Sequence, residues 1–316
     1  MKTIWNIPKV DLISLGELEE KRQVGLIYSG PAWKAVEKQL NLPVVWRAEV
    51  FEATIDHWDK LMHGFQGEVV YSVGGGLTAD AAKYFSVKNN LPLVVIPTAL
   101  SVDAFMTAAS GIRRNGCVYY VETKTPENLI LDLDMIASAP AWIRAAGITD
   151  VLSIATGCWD WKYADENKKN PPGMEFIQWV YDNAQSILNG VLDCAEAAGR
   201  GDLEGLKTLY DCLAMEVQLC NQIGHARPEE GSEHYFAYCV ENMMGHGLPH
   251  GDLVGPGILL MAERQGQDMH PYEAALKACN IPLDRIPSET IRATFAQLPE
   301  YCEKHGLAFG LAHTLQ

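Results

Sequence analysis

The first 140 residues alternate short apolar, β-rich runs with helical stretches. Residues 24–29 (VGLIYS) read as a buried strand and residues 32–40 as the helix after it. Residues 69–73 (VVYSV) form a second strand, ended by three glycines, and residues 78–88 have helical character. Residues 91–96 (LPLVVI) and 129–133 (LILDL) read as two more strands. Continuous apolar runs of this length suit strands buried on both faces, and their alternation with helices predicts parallel βαβ units.

From about residue 148 the pattern changes. Residues 172–224 carry Leu, Ile, Val and Met at three- and four-residue spacing, with Ala and Glu between them, which is the helical period. Asn189-Gly190 and the closely spaced Gly199 and Gly201 read as punctuation between helices. Segments 231–244, 253–265, 271–279 and 287–308 also read as helices. The expected organisation is an α/β domain over residues 1–145 and an all-helical domain over residues 146–316.

Composition narrows the function. The chain has 316 residues, 48% apolar and 21% charged, the profile of a globular enzyme. A net charge of −15 argues against nucleic acid and against anionic membrane surfaces, both of which are held by clustered Lys and Arg. No apolar run approaches the roughly 20 residues that span a bilayer. The N-terminal run breaks at Lys9 and Asp11, so a signal-peptide core is not expected there. Eight cysteines without C-x-x-C spacing read as reduced thiols, which makes the cytoplasm the expected compartment.

Four segments carry candidate chemistry. Gly74, Gly75 and Gly76 leave a strand and enter a helix, so backbone N–H groups can approach a pyrophosphate at the positive end of that helix. The same wording also suits a tight structural turn, with Asp80 as a first-turn carboxylate and Lys83 as a solvated helix residue. Thr98, Ser101 and Asp103 follow the end of a strand, where ligands of open α/β sheets sit, or else cap the next helix. Asp150 in GITD reads as a helix N-cap or a ligand. His234, His246 and His250 are locally enriched, and two histidines with a distant Asp make an N,N,O set for a divalent metal.

Taken together, GGGLTADAAK, IPTALSVDAF, the stretch from LDLDMIASAP through GITDVLSIATGCWDW, RPEEGSEHYF and HGDLVGPGI resemble the glycerol-1-phosphate dehydrogenase family, within the dehydroquinate synthase-like and iron-type alcohol dehydrogenases. The resemblance implies a Rossmann-like parallel-sheet domain followed by a helical metal- and substrate-binding domain. It implies NAD or NADP held by Gly74, Gly75, Gly76 and Asp80, and further along by Thr98, Ser101 and Thr107. Asp103 and Tyr238 would meet the substrate. Asp150, His234 and His250 would hold one divalent metal, zinc by preference, with nickel or iron in relatives. His250 is preferred to His246 because it heads the HGD wording.

The implied activity is interconversion of a small polyol or polyol phosphate with its ketone, with a homo-oligomer expected from relatives. Two positions depart from the family: Tyr238 stands where a histidine contacts substrate, and Thr107 where a serine touches cofactor. Tyr238 strengthens the alternative of a non-phosphorylated polyol dehydrogenase. A dehydroquinate synthase-like cyclase and a non-catalytic binder are the other readings. The strand at residues 24–29 ends in Ser29-Gly30 rather than in an acidic residue for the adenosine ribose, which leaves NAD against NADP open.

Overall fold

The computed structural model describes residues 3–315. The chain divides into two compact units, one of Trp5–Pro140 and one made chiefly of the residues from Ala141 onward.

The first unit contains β1 (Lys9–Leu12), β2 (Val24–Tyr28), α1 (Gly30–Val36), β3 (Val44–Glu49), α2 (Ile55–Met62), β4 (Val69–Gly74), α3 (Gly76–Asn89), β5 (Leu93–Pro97), β6 (Ala109–Arg114), β7 (Cys117–Glu122), β8 (Asn128–Leu131) and α4 (Leu133–Ala137). Six strands form one sheet in the order β1-β8-β5-β4-β2-β3, with every pairing parallel. The central strands β4 and β5 are buried at every position, which is why they read as apolar runs, broken only by the buried Ser72 of β4. The two edge strands lack that signature. β3 alternates exposed and shielded residues, with Arg47 out and Ala48 in, and β1 contains Lys9 and Asp11.

A separate antiparallel hairpin, β6–β7, turns at Asn115-Gly116, both at positive φ (54° and 76°). That is the dipeptide a two-residue primed turn requires, and it was available in the sequence.

The second unit is helical: α5 (Ala141–Arg144), α6 (Ile148–Leu152), α7 (Ile154–Glu166), α8 (Gln178–Arg200), α9 (Leu203–Ile223), α10 (Ser232–Met244), α11 (His250–Arg264), α12 (His270–Ala278) and α13 (Ser288–His305). Trp161 is wholly buried against Val180 and Ile223, with its indole N–H donating to the Met174 carbonyl at 2.8 Å. Asn189-Gly190 does not break a helix. Both residues lie inside α8, and a Cβ at Gly190 would stand 3.3 Å from the Cys212 sulfur, so the glycine serves the approach of α9. The break falls at Gly201, the left-handed C-cap of α8. Among the described residues no helix is long and apolar enough to cross a membrane.

Gly199 marks the closest packing in this unit. A Cβ there would lie 1.9 Å from the Ala278 carbonyl oxygen, so α12 can approach α8 only over a hydrogen. Gly199→Ala is therefore expected to lower the free energy of unfolding by about 1–3 kcal/mol, the ordinary cost of overpacking. Urea denaturation reads it directly, and an unchanged midpoint would contradict this contact.

Candidate active site

In the second unit, Asp150, His234 and His250 converge. Asp150 lies within α6 and is buried; Gly147, not Asp150, occupies the N-cap. His234 is the third residue of α10, and His250 opens α11. One ligand atom from each lies within 4.8 Å of the others. His250 Nε2 stands 2.9 Å from Asp150 Oδ1, and the two imidazole centroids are 5.3 Å apart. His246 is exposed, with its nearest bond a 3.4 Å contact to the Gly247 carbonyl. Two imidazole nitrogens and one carboxylate oxygen at this spacing fit a divalent transition metal with open positions.

Behind His234 lies Glu233, fully buried. Its Oε1 is 2.9 Å from His234 Nδ1 and accepts the Gly231 N–H at 2.6 Å, while Oε2 accepts the Thr156 hydroxyl at 2.8 Å. A carboxylate can only accept, so Nδ1 carries the proton in this bond and Nε2 is left as the ligating nitrogen. Burial pulls the His234 imidazole down. The Glu233 hydrogen bond and the charges of Glu233, Glu230 and Asp150 outweigh it and push the group up to about 9. One helical turn on, buried Tyr238 gives its hydroxyl proton to Glu230 at 2.8 Å, with its ring 6.1 Å from that of His234.

In the first unit the glycine turn joins β4 to α3. Gly74 has φ +147°, and a Cβ there would stand 2.7 Å from Thr78 Oγ1; one on Gly76 would stand 2.8 Å from Val102 Cγ2. The turn is a cradle that any side chain would fill, which fits a diphosphate lying against bare backbone. Thr98 N–H donates to the Gly74 carbonyl at 3.2 Å, and Ser101 Oγ lies 3.1 Å from where a Gly75 Cβ would be. Both flank the cradle, and Asp103 follows between Val102 and Ala104, which pack on Gly76.

Buried Asp80 and half-buried Thr107 both meet the Lys83 ammonium. Asp80 pairs with Lys83 Nζ at 2.9 Å and accepts the Gly111 N–H at 3.2 Å. Lys83 is not a solvated helix residue. It is wholly buried and also donates to the Ala104 carbonyl at 2.8 Å, to Thr107 Oγ1 at 2.9 Å and to the Ala109 carbonyl.

Comparison with known proteins bears on the family and the fold. The iron-containing alcohol dehydrogenase family model matches residues 15–140. A glycerol-1-phosphate dehydrogenase [NAD(P)+] of Sulfurisphaera tokodaii is 30% identical over 250 residues, 77% of this chain and 70% of that protein. The chain belongs to the glycerol-1-phosphate dehydrogenase family. A family member from Pyrococcus horikoshii is 27% identical over 82% of this chain and 76% of its own. The fold recurs in a probable glycerol dehydrogenase from Sinorhizobium meliloti 1021, with a TM-score of 0.68 at 18% identity, covering 96% of this chain and 90% of that one. As a member of the family, the chain is an NAD(P)-dependent oxidoreductase.

Glu233 was missed by sequence reasoning, because adjacent helix residues do not ordinarily face one another. At the amino end of α10 the side chain turns back to the free backbone N–H of Gly231 and so meets its neighbour's ring. Asp160, in the GCWDW end of the stretch quoted from the sequence, also finds its reason here. Asp160 Oδ2 accepts the Ser232 N–H at 2.7 Å and the Ser232 hydroxyl, and Oδ1 accepts Leu311 N–H at 2.9 Å and Gln265 Nε2 at 3.3 Å.

Burial raises the Asp160 carboxyl to about 6, with the Glu233 charge adding to the rise and the Ser232 bond opposing it. Its folded pKa thus exceeds the unfolded value of 3.8, so the native state holds this proton more tightly. The contribution of Asp160 to stability therefore grows as pH falls from about 7 toward 4. Measured against Asp160→Asn, wild type should gain up to about 3 kcal/mol over that window, from roughly 1.4 kcal/mol per pKa unit. Parallel stability curves for the two proteins would refute the assignment.

Proposed function

We propose that the chain interconverts a small polyol or polyol phosphate with its ketone, using NAD(P) held at the Gly74–Gly76 turn and a divalent metal held by Asp150, His234 and His250. The convergence of those three donors is the observation that carries this reading. When bound, the metal supplies Lewis acidity toward the substrate's hydroxyl or carbonyl oxygen, and NAD(P) supplies the two-electron redox partner. The chain's own residues do the rest. Glu233 fixes the tautomer and direction of the His234 ring, and Thr156 and the Gly231 N–H fix Glu233. Asp150 brings the formal negative charge of the ligand set. Asp103 accepts a substrate hydroxyl proton in a hydrogen bond, and Thr98 and Ser101 line the cofactor's path. Zinc is the proposed occupant, and elemental analysis of the purified protein distinguishes it from iron or nickel.

A second reading, a non-phosphorylated polyol as substrate, is favoured by one observation. The Tyr238 hydroxyl is committed to Glu230, so a carboxylate rather than a cation stands beside the triad. Incubating metal-replete protein with NADH or NADPH and a ketone panel, while following reduced-cofactor absorbance, tests both readings. Fast loss with dihydroxyacetone phosphate supports the phosphorylated substrate. Loss confined to dihydroxyacetone or larger ketones supports the second reading, and no loss with any ketone refutes both.

The ligand assignment makes its own prediction. His250→Ala should lower turnover at least about 100-fold and empty the protein of metal while it remains folded, and Glu233→Gln should weaken metal affinity about 10–100-fold. His246→Ala should change neither. Metal content retained in His250→Ala but lost in His246→Ala would assign the other histidine.

A further inference from the structure

The sequence offers no acidic residue at the end of β2, yet the fold brings one there from the neighbouring strand. This inference rests on the cofactor reading above. With the glycine turn at the carboxyl end of β4, β5 lies on one side and β2, then β3, on the other. The β5 side carries Thr98, Ser101 and Asp103, assigned to the reacting half of the cofactor and the substrate. The adenosine half is left to the carboxyl ends of β2 and β3.

Ser29 stands directly beside the turn, its Cβ 3.4 Å from where a Gly74 Cβ would be. Glu49 ends β3 in register with Tyr28, and its Oε1 accepts the Gly30 N–H at 2.8 Å. A Cβ on Gly30 would lie 2.4 Å from that oxygen, so the glycine is what lets the carboxylate lie over the end of β2. Glu49 remains partly exposed. The same bond caps α1, where Ser29 makes no side-chain cap, but it occupies one oxygen lone pair of a group that has several. A carboxylate here accepts hydrogen bonds from ribose hydroxyls and repels a 2′-phosphate. Arg47 lies two residues back along β3, about 7 Å from the strand's end at the usual rise, and Lys34 lies a turn into α1.

We infer that Glu49 selects NAD(H) over NADP(H). The test is equilibrium binding of ADP-ribose and 2′-phospho-ADP-ribose to wild type and to Glu49→Gln, followed by calorimetry. Neither probe carries nicotinamide, so neither turnover nor substrate enters the readout. Wild type should bind ADP-ribose at least about tenfold more tightly, the low end of the penalty for juxtaposed like charges. Glu49→Gln keeps an acceptor for the Gly30 N–H and removes the charge, so that preference should shrink about tenfold, through tighter binding of the phosphorylated probe.

Equal or tighter binding of the 2′-phosphorylated probe by wild type overturns the inference and assigns that edge to Arg47 or Lys34. An unchanged preference in a folded Glu49→Gln also overturns it. Should the variant not fold, the wild-type ratio decides alone. Binding of neither probe to wild type overturns the cofactor reading and this inference with it.

Discussion

Two wholly buried carboxylates, Asp160 and Glu233, meet at the amino end of α10, and the candidate metal centre takes its shape from how they are satisfied. An uncompensated charge in such surroundings costs several kcal/mol, so each oxygen must find donors. Asp160 takes Ser232, Leu311 and Gln265; Glu233 takes Gly231, Thr156 and the His234 ring. The Ser232 hydroxyl in turn accepts the Ala312 N–H at 2.8 Å, which ties the C-terminal turn to the same cluster. The free N–H groups of a helix start favour negative charge, so the two acids gather there rather than at another point of the unit. Because Glu233 is spent on Nδ1, the direction of His234 Nε2 is a consequence of this network and not an independent choice.

The first unit solves a similar problem with the opposite sign. Lys83 is fully buried, and its ammonium is paid for by Asp80, by Thr107 and by the carbonyls of Ala104 and Ala109. Three of those partners, Ala104, Thr107 and Ala109, lie in the segment that follows Asp103 directly. Asp80 and Thr107, which the resemblance implies for the cofactor, thus also meet the Lys83 ammonium that holds the loop after Thr98 and Ser101. Buried pairs of this kind are weak evidence for stability; here the geometry gives them a positioning role.

What was legible in the sequence follows from burial. Strands β2, β4, β5 and β8 are mostly apolar, with Ser72 and Asn128 the polar exceptions, and could be read from composition. The edge strands β1 and β3 mix Lys9, Asp11 and Arg47 into short runs and could not. The hairpin was legible in principle through Asn115-Gly116, but its strands hold Arg113, Arg114 and the consecutive Tyr119 and Tyr120 rather than an apolar run. Gly190 misled because a glycine inside a helix reads as a break until the partner helix that needs it is known. In the candidate site, the donors were visible as residue types. Their support was not: Glu233 acts on its own neighbour, Lys83 on a loop more than 20 residues away, and Glu49 on a turn in another strand.

Tyr238 is where these constraints bear on substrate. Three carboxylates, Asp150, Glu230 and Glu233, influence the His234 ring strongly enough to override the burial that would neutralise it. A divalent cation held among them would offset most of that charge and would leave little positive potential for a second anion. Tyrosine adds none, since its hydroxyl can share a proton but carries no charge, and here that proton is engaged by Glu230. A neutral polyol meets no electrostatic objection beside Tyr238. A phosphate dianion does, and it must be met by cations from elsewhere in the chain if the substrate is phosphorylated.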